Sequence, residues 1–197
     1  MIRVVGLLGS PRVGRNTDTL LAACLAGAAA AGAQTTKLAV ASLAIKPCLS
    51  CYACARTGEC AVKGDEMSTV YAELAQADII LLASPLYFGG VSAQLKAVID
   101  RAQLFWSRQN DLKLPALLPS KQRLGALICT GGAPNRAGNN FLPAIATAKL
   151  WFQALEVEWQ GEFTAANTDR QPVSDRTDLL EQGSQLGAKL VQKVAKQ

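Results

Sequence analysis

Histidine is absent from this chain of 197 residues. Without an imidazole there is no Ser-His-Asp or Cys-His nucleophile pair, and no metal site that requires a histidine ligand. An ordinary triad hydrolase is therefore not expected. The chemistry has to come from a cofactor, a thiol, a carboxylate or a metal.

Long apolar runs and basic clusters are also absent. The apolar stretch from Val4 to Leu8 ends at Gly9-Ser10-Pro11 without a site typical of signal-peptide cleavage, and no run suggests a membrane span. The net charge is +5, but Lys and Arg are scattered and aromatic residues do not alternate with them. We therefore expect a cytoplasmic protein with no membrane or nucleic-acid partner.

Half of the residues are hydrophobic, which is enough to bury the core of one domain over residues 1–197. The expected strands cover residues 2–8, 37–40, 79–83, 125–129 and 157–163, and helices separate them. Strands that are apolar on both faces and alternate with helices are typical of a doubly wound α/β fold. We predict a five-stranded parallel sheet with helices on both faces.

Cysteine has the most informative pattern. Four of the six cysteines form a C-x2-C-x2-C-x5-C run, namely Cys48, Cys51, Cys54 and Cys60. This compact spacing favours a 4Fe-4S cluster over zinc, whose ligand pairs usually lie a dozen or more residues apart. Two other interpretations stay open: zinc or a redox thiol group, and a metal-free loop of partly buried thiols. A reducing cytosol argues against a disulfide framework. The cysteine-rich loop spans about residues 44–64.

The first expected strand leads into a loop, residues 9–17, that suits a phosphate group. Backbone N–H groups at the start of a helix bind anions, Ser10 and Thr17 add hydroxyls, and Arg12 or Arg15 adds charge. The Lys-Ser/Thr pair of a Walker A loop is missing, and so is a G-x-G-x-x-G dinucleotide motif. The alternative is a capped turn that binds nothing.

Two further loops follow the third and fourth expected strands. Residues 84–90 are apolar and aromatic and suit a flat ring, with backbone groups of Leu86 to Gly89 beside its polar edge. Core packing of these aromatic residues is the alternative. Residues 130–135 close over the same ligand or form a flexible connection.

Together these segments resemble a known family. The chain reads G-S-P-R-x3-N-T from Gly9, P-C-x2-C-x2-C-x5-C from Pro47, D-E-M from Asp65, and A-D-x4-A-S-P-L-Y-F-G-x-V-S-A-Q-L-K-x3-D-R from Ala77. The combination resembles the flavodoxin-like NAD(P)H-dependent FMN reductases, and the cysteine spacing resembles their iron-sulfur flavoprotein branch. The resemblance runs from Ile2 to about Phe163.

The resemblance implies an FMN site and a cluster site. The residues that would hold the FMN phosphate are Ser10, Arg12, Asn16 and Thr17. Those that would border the ribityl chain and isoalloxazine ring are Pro85, Leu86, Tyr87 and Phe88, with Gly89 in the same loop. The pocket would be closed by Thr130 and Gly131. The 4Fe-4S ligands would be Cys48, Cys51, Cys54 and Cys60.

The resemblance also implies a homodimer or homotetramer in which a cluster of one subunit approaches the FMN of another. The electron donor or acceptor would be a small molecule, NAD(P)H included, or a ferredoxin-type protein. Lys96, Asp100 and Arg101 match a recurrent pattern of the family, and we expect them on a helix surface or at a subunit contact. No side chain is assigned a catalytic role, and Cys129 is expected to fill core volume.

Three functions remain open at this point. The main hypothesis is an FMN-dependent oxidoreductase that transfers electrons between a reduced donor, FMN and a 4Fe-4S cluster. The first alternative is a cluster-free NAD(P)H-dependent reductase of FMN or quinones. The second is a zinc-thiolate module that binds a partner without catalysis.

Overall fold

The computed structural model describes residues 1–196, and Gln197, the last residue of the predicted domain, lies outside the described residues. Strands and helices alternate along the chain. The strands are β1 (Arg3–Leu8), β2 (Gln34–Ala39), β3 (Ile79–Pro85), β4 (Leu124–Thr130) and β5 (Glu158–Ala165). The helices are α1 (Asn16–Ala30), α2 (Ala53–Thr57), α3 (Met67–Gln76), α4 (Ala93–Arg101), α5 (Gln103–Asn110), α6 (Leu142–Ala154) and α7 (Thr177–Val194).

The five strands form one parallel sheet in the order β2-β1-β3-β4-β5. This is the strand order of the flavodoxin-like fold, so the predicted fold class is confirmed. Every residue of β3 and β4 is buried. That burial explains why both strands are continuous apolar runs, as expected for strands covered on two faces.

Hydrophobic cores cover both faces of the sheet. Alternate residues of β3 point to opposite sides, with Ile80 and Leu82 in one core and Ile79 and Leu81 in the other. Helices α3, α4, α5 and α6 contribute to the first core, whereas α1 and α7 contribute to the second. The sheet thereby separates the helices into two layers.

The structure differs from the prediction mainly at the polar segments. Strand β2 begins at Gln34, three residues before the predicted start. The apolar pattern did not reveal this start, because four of the six residues in QTTKLA are polar and the strand lies at the sheet edge with no fully buried residue. Helices α2 and α5 were not predicted. The second of these follows α4 after the single residue Ala102 and carries the polar sequence QLFWSRQN.

Among residues 1–196, no helix is long and apolar enough to cross a membrane.

Helices α1 and α7 pack closely against each other at Gly187 of α7. A Cβ atom added at Gly187 would lie 1.9 Å from the carbonyl oxygen of Cys24, whereas one added at Gly183 would meet nothing closer than 3.3 Å. Only a residue without a side chain therefore fits at Gly187 while the two helices keep this spacing.

We predict that Gly187→Ala lowers the free energy of unfolding by about 1–3 kcal/mol, because overpacking forces the two helices apart. Gly183→Ala is the matched control on the same helix, where the higher helix propensity of Ala, about 1 kcal/mol, offsets a mild contact. Urea unfolding of both variants measures the difference. Equal effects at the two positions would contradict this account of the contact.

Candidate cofactor sites

The loops that follow β1 and β3 are joined by two buried serines. Ser92 caps the start of α4, where its hydroxyl accepts from the N–H of Leu95 at 3.2 Å and donates to the carbonyl oxygen of Gly9 at 2.6 Å. The N–H of Ser92 donates to the hydroxyl of Ser84 at 3.0 Å. These bonds fix the predicted phosphate loop, residues 9–17, relative to the aromatic loop, residues 84–90.

The loops after β1 and β4 also meet. The hydroxyl oxygens of Thr17 and Thr130 lie 2.6 Å apart and are buried. The N–H of Leu86 donates to the carbonyl oxygen of Thr130 at 2.7 Å, which adds the loop after β3. The three loops chosen from the sequence therefore do converge at the carboxyl edge of the sheet.

Asn16 has a different environment from the other predicted phosphate residues. Its side-chain amide donates to the carbonyl oxygen of Thr168 at 3.3 Å, and its side-chain oxygen accepts from the N–H of Val173 at 2.9 Å. Both polar atoms of the side chain are thus engaged with the loop after β5. Asn16 lines the cavity described below, where one of its two amide N–H groups is used to connect two loops.

The aromatic loop ends in a tight turn. Tyr87 and Gly90 exchange two backbone hydrogen bonds of 2.9 Å, and the two residues between them have positive φ, 50° at Phe88 and 80° at Gly89. The Phe88 side chain is fully exposed at the tip of this turn. Phe88 and Gly89 accordingly lie outside the cavity, whereas Tyr87 lines it.

A cavity of about 600 Å³ lies where these loops meet. Eight of the predicted cofactor residues line it, namely Ser10, Arg12, Asn16, Thr17, Pro85, Leu86, Tyr87 and Thr130. Gly131 is not among the lining residues, and a Cβ atom added there would lie 3.1 Å from the ring of Phe141. Arg12 and Arg15 are exposed at the cavity and make no ion pair within residues 1–196. Their positive charge is available to an anion.

Two lining residues, Thr168 and Asp169, were missed in the sequence. They follow β5, and backbone bonds join their segment to the loop after β4, with the N–H of Thr168 donating to the carbonyl oxygen of Gly131 at 3.1 Å. Asp169 comes so close that a Cβ atom added at Gly132 would lie 2.3 Å from its carboxylate. The signal in the sequence was the polar run Asn167-Thr168-Asp169 directly after the last strand.

The cysteine loop is closed at its base by hydrogen bonds. Glu66 accepts from the N–H of Ala44 at 2.7 Å through its carboxylate, and its own N–H donates back to the carbonyl oxygen of Ala44 at 3.1 Å. The Asp65 carboxylate accepts from the N–H of Lys46 at 3.1 Å. The two ends of the loop are therefore fixed beside each other.

All four predicted metal ligands line one cavity of about 510 Å³ between the cysteine loop and helices α4 and α5. An all-sulfur donor set on one cavity fits a zinc ion or an iron-sulfur cluster. The thiols are not gathered, however: within residues 1–196 no three Cys, Asp or Glu side chains form a group that already has metal-binding geometry. Cys54 instead donates to the hydroxyl of Ser107 at 3.5 Å.

Arg101 corrects one expectation from the sequence. It was expected on a helix surface or at a subunit contact, but its side chain is buried and pairs with Asp65 at 2.6 Å. Lys96 and Asp100 do lie on the surface of α4, where they pair with each other at 2.7 Å. Burial alone would raise the pKa of Asp65, but hydrogen bonds from Arg101 and the backbone hold it below its ordinary value.

The two remaining cysteines belong to the core. Cys24 lies on α1 and Cys129 on β4, and neither side chain is exposed. Burial raises the pKa of each thiol to about 12. Both are therefore unreactive thiols at neutral pH, and Cys129 fills core volume as expected.

Curated relatives match half to two thirds of the chain. An iron-sulfur flavoprotein of Methanocaldococcus jannaschii is 38% identical over 102 residues, which is 52% of this chain and 52% of that protein. An iron-sulfur flavoprotein of Methanosarcina thermophila is 33% identical over 134 residues, or 68% of this chain and 65% of that protein. The chain thus matches between half and two thirds of the length of these relatives.

Solved structures share the fold at low sequence identity. The structure of RosB with bound 8-demethyl-8-formylriboflavin-5'-phosphate superposes with a TM-score of 0.74 at 14% identity and covers 100% of this chain and 79% of that one. Residues 2–141 match the family described as NADPH-dependent FMN reductase. This match ends before β5, short of the Phe163 limit expected from the sequence. The chain belongs to the NADPH-dependent FMN reductase family, and its iron-sulfur flavoprotein relatives agree with the branch that the cysteine spacing predicted.

Proposed function

We propose that the protein is a redox flavoprotein that binds FMN in the cavity after β1, β3 and β4 and a 4Fe-4S cluster on the cysteine loop. The observation that carries the proposal is that all four loop cysteines line one cavity while eight of the eleven predicted FMN residues line another. The two cavities share no lining residue. Two separate cofactors fit this arrangement.

The chain's own residues have distinct roles in this proposal. Bound FMN would supply transfer of electrons in pairs or singly, and a cluster would supply single-electron transfer. Arg12, Arg15 and Ser10 hold the phosphate end, where the exposed guanidinium groups attract an anion. Pro85, Leu86 and Tyr87 form the apolar wall that the ring requires. The buried hydroxyl pair of Thr17 and Thr130 fixes the floor between them.

The electron donor in this proposal is NAD(P)H or a reduced protein of the ferredoxin type, and the acceptor is a small molecule or a redox protein. The family supports a nicotinamide donor. A homodimer or homotetramer would allow the cluster of one subunit to approach the FMN of another. Such an arrangement would bring together two cofactors that occupy separate cavities within one chain.

A cluster-free NAD(P)H-dependent reductase of FMN or quinones is the second candidate. One observation favours it: the four thiols line their cavity without forming a ready metal-binding group within residues 1–196. In this case the cysteine loop is structural. The two candidates differ in iron content rather than in flavin binding.

We predict that Arg12→Ala weakens FMN binding about tenfold or more, since a hydrogen bond to a charged group contributes about 1.5–3 kcal/mol. Riboflavin, which has no phosphate, should bind both proteins equally. Fluorescence titration measures the two dissociation constants. Arg3→Ala removes the same charge at the opposite edge of the sheet, where β1 begins, and should leave both constants unchanged. An equal loss of FMN and riboflavin affinity would argue against a phosphate role for Arg12.

Anaerobic purification tests the cluster directly. We expect flavin bands above a broad cluster absorption, with about four irons and four sulfides per chain. Cys51→Ser should lose iron but retain flavin, and Cys24→Ala, which removes a thiol outside the loop, should keep both. Flavin without iron would establish the cluster-free reductase. Stoichiometric zinc with no flavin would establish a zinc-thiolate module.

A further inference from the structure

Arg101 connects α4 to both ends of the cysteine loop. Its Nη1 donates to the Asp65 carboxylate at 2.6 Å and to the carbonyl oxygen of Lys46 at 3.0 Å, and its Nη2 donates to the carbonyl oxygen of Val62 at 3.0 Å. The Nε–H is different: it is buried and has no hydrogen-bond partner among residues 1–196.

A buried donor on a cation without an acceptor is rare and unfavourable. The acidic groups around Arg101 are already engaged. Asp65 accepts from Nη1 of the same guanidinium, Asp100 pairs with Lys96 at 2.7 Å, and Glu59 pairs with Lys63 at 3.3 Å. The Nε–H itself therefore remains available to a further acceptor.

Cys60 lines the same two cavities as Arg101. Both residues line the cavity that contains the four thiols, and both also line a smaller cavity of about 260 Å³, so they belong to the wall between the two. Tyr71 lines the smaller cavity too, and its hydroxyl donates to the carbonyl oxygen of Arg101 at 2.9 Å. Burial would lower the pKa of Arg101, but Asp65, Tyr71 and Cys60 together hold it above its ordinary value.

We propose that Arg101 is a positioning residue for the metal site: when a metal binds, its free Nε–H donates to the sulfur of Cys60 and orients this thiol toward the other three. Cys60 is the ligand that follows after five residues rather than two, so the chain itself restrains it less than the other thiols. A thiolate sulfur in a metal site accepts N–H hydrogen bonds that orient it. The inference rests on the proposal that the loop cysteines hold a metal group.

Cd²⁺ binding to the reduced, metal-free protein tests this inference without the loaded enzyme. The thiolate charge-transfer absorption counts the coordinated sulfurs, and titration gives the affinity. Loss of a group that orients a ligand typically weakens metal binding about 10–100-fold. We expect Arg101→Gln and Arg101→Lys each to lose about tenfold in affinity and one coordinated sulfur, as Cys60→Ser does. The double variant with Cys60→Ser should lose no more, because both changes remove the same interaction.

The matched control is Arg123→Gln. Arg123 is also buried and donates to four backbone carbonyl groups, but none of its acceptors lies on the cysteine loop. The Arg123→Gln variant should keep the wild-type Cd²⁺ affinity and all four coordinated sulfurs. If Arg123→Gln matches Arg101→Gln, or if the effects of Arg101→Gln and Cys60→Ser add, the inference is overturned.

The wild-type protein provides a measurement that needs no folded Arg101 variant. In its ¹H–¹⁵N spectrum, the Arg101 Nε–H signal should shift on Cd²⁺ binding, and the same signal should stay in place in Cys60→Ser. An unchanged signal in wild type overturns the role of Arg101 alone. Wild-type protein that binds no Cd²⁺ through its thiols overturns the metal proposal itself.

Discussion

The parallel pairing of all five strands constrains both candidate sites. Because the strands run in one direction, their carboxyl ends lie at one edge of the sheet and every following loop begins there. The loops after β1, β3, β4 and β5 surround the cavity of the predicted FMN residues, whereas the cysteine loop follows β2, the edge strand beside β1. Strand direction therefore places both sites at the same edge, and strand order gives each its own cavity.

The parts of this arrangement that could be predicted are those with local signals. The buried strands β3 and β4 are continuous apolar runs, Thr130 is the last residue of β4, and Thr17 lies in the first turn of α1. Strand β2 and helix α5 were harder to predict because their sequences are mostly polar, so that their packing depends on neighbours rather than on a periodic pattern. The residues proposed to bind FMN came from a resemblance, since no single motif in the loop identifies a flavin.

The parts that could not be predicted depend on contacts between distant segments. Arg101 looks like a surface residue at the end of an amphipathic helix, yet its acceptors on Lys46, Val62 and Asp65 lie 36 to 55 residues earlier in the chain. Asn16 likewise bonds to Thr168 and Val173, more than 150 positions away. Sequence spacing contains no information on such pairs, so only the folded chain assigns these side chains to connecting roles.

The base of the cysteine loop is closed without the use of a thiol. Backbone groups of Ala44 and Lys46, the carboxylates of Asp65 and Glu66 and the Arg101 guanidinium make these bonds. In small metal-dependent domains the metal supplies the folding free energy, and removing it unfolds the chain. Here none of the groups that close the loop is a predicted metal ligand, so replacing a loop cysteine leaves all of these bonds in place.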